Sequence, residues 1–351
     1  MSGSCYTVVP SPELEALLDR TLKEIGEELE SLRPAGLAGV VLGGGYGRGE
    51  GGVFRTPSGD RLYNDLDFFV FADGAGRRTL RAIGETLRGV SESREKQLGV
   101  AVDFSPAKNL STLAAVGHTL MFQELLRGWK PVWGTVDPAR YIPALEPGEI
   151  PFTEALRLML NRGMGLVFAG EKLAAGSTDA DFIVRNMNKA VLGCGDALLL
   201  AAGEYRWRGQ ERIGAFTEYA GRQGLPAAYA GSYAEAFRYK FEPVPLLPED
   251  PRGRWEACRA FYMAALRLLA GCDPGAPVSE VKRGIRRRAA DARSLKNFLR
   301  WLVRTRGIRT AGRLADDPVV SVLELLCDVL AAGGIFPACP PGLYALWRRF
   351  N

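Results

Sequence analysis

A chain of 351 residues, 47% hydrophobic and 24% charged with a formal net charge of +5, has the composition of an ordinary globular protein and enough length for two domains with separate cores. No apolar run is long enough to span a membrane, and Met1–Pro10 lacks the basic and apolar regions of a secretion signal, so a cytoplasmic protein without membrane partners is expected. Six scattered cysteines with no CxxC pair argue against disulfide and zinc frameworks. A single histidine, His118, argues against imidazole-based triads and His-rich metal sites, so any catalytic metal is expected to be held mainly by oxygen ligands, as magnesium and manganese are.

In chain order, Ser11 and Pro12 open a helix to about Leu32, with Leu14, Leu17, Leu18, Leu22, Ile25 and Leu29 on one face. Leu37–Leu42 reads as a buried strand ending in a glycine cluster, followed by a loop over Gly51–Tyr63. A second strand is expected over Asp65–Phe71, a helix around Arg78–Gly89 and a third strand over Leu98–Phe104. A helix at Thr119–Arg127 and an extended piece at Pro131–Trp133 complete an α/β pattern. The proline-rich Pro138–Pro151 reads as a linker. Helical patterns then follow at Thr153–Leu173, Asp181–Glu204, Arg212–Arg222, Tyr233–Phe241, Arg254–Ala270, Ser279–Thr305 and Pro318–Ala332. The expected organisation is α+β: a mixed-sheet domain over residues 1–145, then an all-helical domain over 150–351.

Three elements carry chemistry. The strand Val40-Val41-Leu42 runs into Gly43-Gly44-Gly45-Tyr46-Gly47-Arg48-Gly49-Glu50, where the backbone can turn tightly and approach a ligand without side chains in the way. No Gly-Lys-Ser/Thr follows, so this is not a P-loop. In Asn64-Asp65-Leu66-Asp67 the two acids stand two residues apart on one strand face, beside Phe69 and Phe71. Two adjacent carboxylates repel one another, and a divalent cation relieves that repulsion. Asp103, near the end of an apolar strand, is either a turn residue or the third carboxylate of a two-metal site.

A glycine turn, Asp-x-Asp on the next strand and a later strand aspartate resemble the DNA polymerase β-like nucleotidyltransferase superfamily. Gly-Tyr-Gly-Arg-Gly-Glu and Asn-Asp-Leu-Asp are closest to its bacterial aminoglycoside nucleotidyltransferase and glutamine synthetase adenylyltransferase branches. The resemblance implies that Gly44 and Gly45 hold the triphosphate by backbone amides and that Asp65, Asp67 and Asp103 bind two magnesium ions. It also implies that Asp103 helps deprotonate the acceptor hydroxyl. Two features depart from the pattern: Gly-Gly stands where Gly-Ser is commoner, and the loop before Asp65 is long.

Arg48 either reaches the phosphates or pairs locally with Glu50. In the helical half, which would close the nucleotide and acceptor cleft, Lys189 matches a Lys-Ala step of these branches and is either a phosphate contact or a surface lysine. Asp196 is structural or acceptor-facing, while Tyr205 and His118 are expected to pack. The dense basic run Lys282–Arg309 is either a solvated amphipathic face or an RNA contact. The expected reaction is transfer of a nucleoside monophosphate from an NTP, ATP favoured, to a hydroxyl on a small molecule or protein. Transfer to an RNA end and a non-catalytic nucleotide-binding regulator are the rival readings.

Overall fold

The computed structural model describes residues 5–294, 297, 299, 301, 316–332 and 336–350. The chain divides into two compact units, Met1–Glu146 with Arg238–Val244, and Pro147–Phe237 with Pro245–Asn351.

The first unit is α+β. Its first helix, α1 (Pro12–Leu32), starts where the Ser11 hydroxyl accepts the Leu14 amide at 3.4 Å and Pro12 pre-sets the first turn. Leu14, Leu18, Leu22, Ile25 and Leu29 are buried along one stripe, each contributing about 2 kcal/mol by leaving water. The sheet has the order β5 (Val102–Phe104), β4 (Leu66–Ala72), β1 (Leu37–Leu42), β7 (Lys130–Gly134), with the short β6 (Lys108–Asn109) also on β4. β1 is antiparallel to both neighbours, whereas β4 and β5 run parallel. A parallel pair needs a crossover, and α3 (Arg77–Leu98) supplies it. Along β4 the side chains alternate: Phe68, Val70 and Ala72 share a core with Leu14, Leu18 and Leu22 of α1 and Ile83, Leu87 and Val90 of α3. Phe69 and Phe71 pack on the opposite side with Val41 and with Phe122 and Leu125 of α5 (Leu120–Leu126).

Several boundaries differ from the expectations. The loop over Gly51–Tyr63 is a β-hairpin, β2 (Val53–Thr56) paired with β3 (Gly59–Leu62) around Pro57–Ser58. The helix expected to stop at Gly89 continues to Leu98 and ends at Gly99, whose left-handed φ of 72° forms the cap. The following strand is therefore shortened to Val102–Phe104.

The second unit is helical: α6 (Phe152–Ala174), α7 (Ala180–Ala201), α8 (Gly209–Arg222), α9 (Ala227–Phe241), α10 (Pro251–Ala270), α11 (Val278–Arg288), α12 (Pro318–Ala331) and α13 (Pro341–Phe350). From Arg238 onward, α9 belongs to the first unit. Asp250-Pro251 and Asp317-Pro318 repeat the cap logic of Ser11-Pro12, the aspartates accepting the amides of Gly253 at 2.8 Å and Val319 at 2.9 Å. Gly163 and Gly170 let α10 approach α6, so that Tyr262 donates to the Met159 carbonyl at 2.6 Å and Trp255 to that of Leu166 at 2.8 Å. The helix expected over Ser279–Thr305 ends at Arg288 and gives way to a 3₁₀ turn at Ala290–Ala292. There Ser294 accepts the Asn297 amide at 3.2 Å, a capping bond that competes with a continuous helix. Much of the expected helix beyond that point lies outside the described residues. Among those described, no helix is long and apolar enough to cross a membrane.

Candidate active site at the glycine turn

β1 delivers the chain into a single helical turn, α2 (Gly44–Gly47). The Gly43 amide donates to the Asp67 carbonyl at 2.8 Å, which fastens the turn to β4. Gly44 adopts φ +60°, and a Cβ there would run into the Asp67 carboxylate, so only glycine fits. At Gly45 the nearest neighbour of a Cβ would be the Glu50 carbonyl at 3.4 Å, which leaves room for a side chain. As the first residues of a helix, Gly44, Gly45 and Tyr46 have amides with no acceptor inside it.

The acids gather at one end of this sheet. Asp67 and Asp103 are register partners across the parallel β4–β5 pair, so they project on the same face of neighbouring strands about 5 Å apart in backbone spacing. Both are exposed; Asp65, just ahead of β4, is half-buried. What burial the Asp103 carboxyl has pushes its pKa up, and the negative charges of Asp65 and Glu95 push it further. Glu95 of α3 accepts the Val102 amide at 3.1 Å and so positions β5. Among the described residues, no three His, Cys, Asp or Glu side chains converge as a ready ligand group. The chemistry of the donor set, hard carboxylate oxygens of like charge, nevertheless suits magnesium.

Residues within and beyond the two motifs hold this arrangement. Tyr46 is fully buried; its hydroxyl donates to the Gly52 carbonyl at 2.7 Å and accepts the Tyr63 amide at 3.0 Å. Burial, with Asp65 adding to it, raises this phenol to about 12, so it stays protonated. Asn64 accepts the Gly52 amide at 2.6 Å and thereby pins the segment that presents Asp65. Arg48 hydrogen-bonds Glu124 at 3.2 Å and lies 3.7 Å from Glu50, which is itself 3.7 Å from Lys240. Arg48 thus makes the local ion pair with Glu50 and adds Glu124. The segment Arg238–Val244 is tied in further by Tyr239, whose hydroxyl bonds that of Tyr63, and by Glu242, 3.2 Å from Arg55. Asn64 adjoins the Asp-x-Asp motif and was a readable signal, whereas Tyr239 and Lys240 had none.

The remaining candidates lie on other elements. Lys189 is half-buried on α7 in the second unit. Asp196 accepts from Tyr233 at 2.5 Å and Arg212 at 2.9 Å, and Arg212 also donates to Tyr205 at 2.7 Å, a packed interior network. His118 is exposed in the turn before α5. Of the basic run, Lys282 pairs with Asp328 at 2.7 Å, Arg293 with Asp316 at 2.6 Å and Arg286 with Glu324. The part of that run past Ser294 falls largely outside the described residues.

Comparisons with protein family models, with curated proteins and with solved structures returned no match in any of the three. The chemistry of the site therefore rests on its own residues.

Proposed function

We propose that this chain is a magnesium-dependent nucleotidyltransferase that transfers a nucleoside monophosphate from an NTP, ATP favoured, to a hydroxyl on a small molecule or protein. The observation that carries this reading is the register pairing of Asp67 with Asp103, with Gly44 seated directly against the Asp67 carboxylate. Like-charged acids exposed side by side next to a side-chain-free turn do not stabilise a fold, and such arrangements concentrate at functional sites. Asp65, Asp67 and Asp103 would hold the magnesium, which when bound neutralises the charge of the reacting phosphate oxygens.

The chain's own residues have distinct tasks. The amides of Gly44 and Gly45 bind the triphosphate. The acceptor oxygen bonds to the α-phosphorus as the bridge to the β-phosphate breaks, and pyrophosphate leaves with that electron pair. The acceptor proton passes to the Asp103 carboxylate. Arg48, already engaged with Glu124 and Glu50, positions the end of the turn. The ion pairs of Lys282, Arg286 and Arg293 leave an RNA acceptor with less support than a small molecule or protein side chain.

The test uses Asp67→Asn and Asp103→Asn in the full chain, following magnesium-dependent pyrophosphate release and binding of a non-hydrolysable ATP analogue. Each substitution is expected to lower release by on the order of a hundredfold to a thousandfold, as loss of one transition-state contact does, with the unfolding midpoint little changed. Unchanged release in both variants would overturn the proposal. Analogue binding without any pyrophosphate release in the parent chain would favour a regulator.

A further inference from the structure

The arginines of α10 fall into two groups. Arg252 and Arg254 make ordinary ion pairs, with Glu256 and Glu235, each at 3.3 Å. Arg259 and Arg267 instead hydrogen-bond main-chain carbonyls, of Leu330 at 3.2 Å and Ala276 at 3.1 Å. Each spends one of a guanidinium's five N–H donors this way. With Met263 between them they form one helical stripe, and Ala260, Ala264 and Leu268 form the next.

Both arginines line a cavity of about 680 Å³ lying wholly within the second unit, within the range of small-molecule sites. Among its described lining residues none is Asp, Glu or Lys. The two alanines leave space along the helix, and Met263, Leu268 and Tyr229 make apolar walls. The Tyr229 ring is fixed by stacking on Phe261 at 4.5 Å, so that wall is formed in advance. A cavity with two positive charges, no negative charge and mostly apolar walls selects for an anion with a hydrophobic body.

We infer that this cavity binds a small amphipathic acid, its carboxylate or phosphate head on Arg259 and Arg267 and its apolar body along Met263, Leu268 and Tyr229. The site is independent of the nucleotidyl-transfer reading and uses none of its residues.

Cys272 lines the same cavity and offers a local readout, with Cys5 and Cys339 as thiols elsewhere on the chain. The full chain is labelled with a maleimide, mapped by peptide mass, in the presence of octanoate, octyl phosphate or the neutral match octanol, and each affinity is measured by calorimetry. Octanoate or octyl phosphate should slow labelling of Cys272 but not of Cys5 or Cys339, and bind about tenfold tighter than octanol, the effect of a charge-assisted contact. The tighter of the two acids identifies a carboxylate or a phosphate ligand. Arg259→Gln with Arg267→Gln should erase the preference over octanol. Should that pair fail to fold, Ala264→Phe, which fills the cavity and keeps both arginines, should abolish protection. Equal binding of octanol and both acids, or Cys272 labelling unchanged by millimolar acid, would overturn the inference.

Discussion

Two charged regions that look alike as residue runs behave in opposite ways once folded. At the β4–β5 end of the first unit, Asp65, Asp67 and Asp103 are brought together with the same sign, and Asp65 and Glu95 raise the pKa of Asp103. On and just outside α11 and α12 of the second unit, Lys282, Arg286 and Arg293 each meet an acid, Asp328, Glu324 or Asp316. The second arrangement pairs opposite charges and needs no further purpose. The first sets like charges near one another, and the proposed magnesium would relieve that repulsion. Charge density along a sequence therefore says little about function until the partners are known; the sign of the neighbours decides.

The sharpest way to break this contrast is at the turn that supports the acids. Gly44→Ala forces a left-handed residue to carry a Cβ and drives that Cβ into the Asp67 carboxylate. The two penalties together should destabilise the chain by about 2–4 kcal/mol, read as a lower urea midpoint, and should displace Asp67. A Cβ at Gly45 meets nothing closer than 3.4 Å; Gly45→Ser should stay within about 0.5 kcal/mol of the parent in stability. It also supplies the hydroxyl common at this place in the resembling superfamily, so nucleotide affinity should be at least retained. Equal losses in both variants would mean that the turn is structural throughout and not a ligand cradle.

The residue pattern made much of this end of the molecule legible. β1 stops at its glycines because they can turn, and β4 alternates because its two faces meet different helices; both follow from local chemistry. The hairpin over Val53–Leu62 was not legible, since two four-residue strands carry too little periodicity. Neither was the last third of α3, where Ser91–Gln97 holds no apolar residue and only the Gly99 cap marks the end. The least legible part is how Glu124 and Lys240 join the Arg48–Glu50 pair, because these residues lie up to 192 positions apart and meet only through the fold. Sequence showed the acids and the turn, but not what fixes their geometry.

A smaller effect concerns pH. The raised pKa of Asp103 means the folded state holds this proton more tightly than the unfolded chain, so the unfolded state loses it first as pH rises. The stability gained from protonated Asp103 is then present at low pH and is lost as pH climbs from the ordinary aspartate range through the raised value. Asp103→Asn should remove that slope and leave the chain slightly more stable above it. Carboxyl-carbon NMR on the parent chain should show the raised titration, and magnesium should pull it downward. A titration indifferent to magnesium would leave the acids as an electrostatic defect without a ligand.

The smallest effect is expected on the matched side of the comparison. Glu324 is buried, which pushes its pKa up, while Arg286 and Lys282 act to lower it. With burial the larger influence, the charged carboxylate gains little from its partners, and Gln keeps its shape. Glu324→Gln should therefore change stability by no more than about 1 kcal/mol, since most of the Coulomb gain is already offset by desolvation. Urea unfolding at neutral pH measures it. A loss of about 3 kcal/mol or more, the cost of breaking a tightly buried pair, would show that α11 and α12 depend strongly on charge, and the contrast between the two regions would fail.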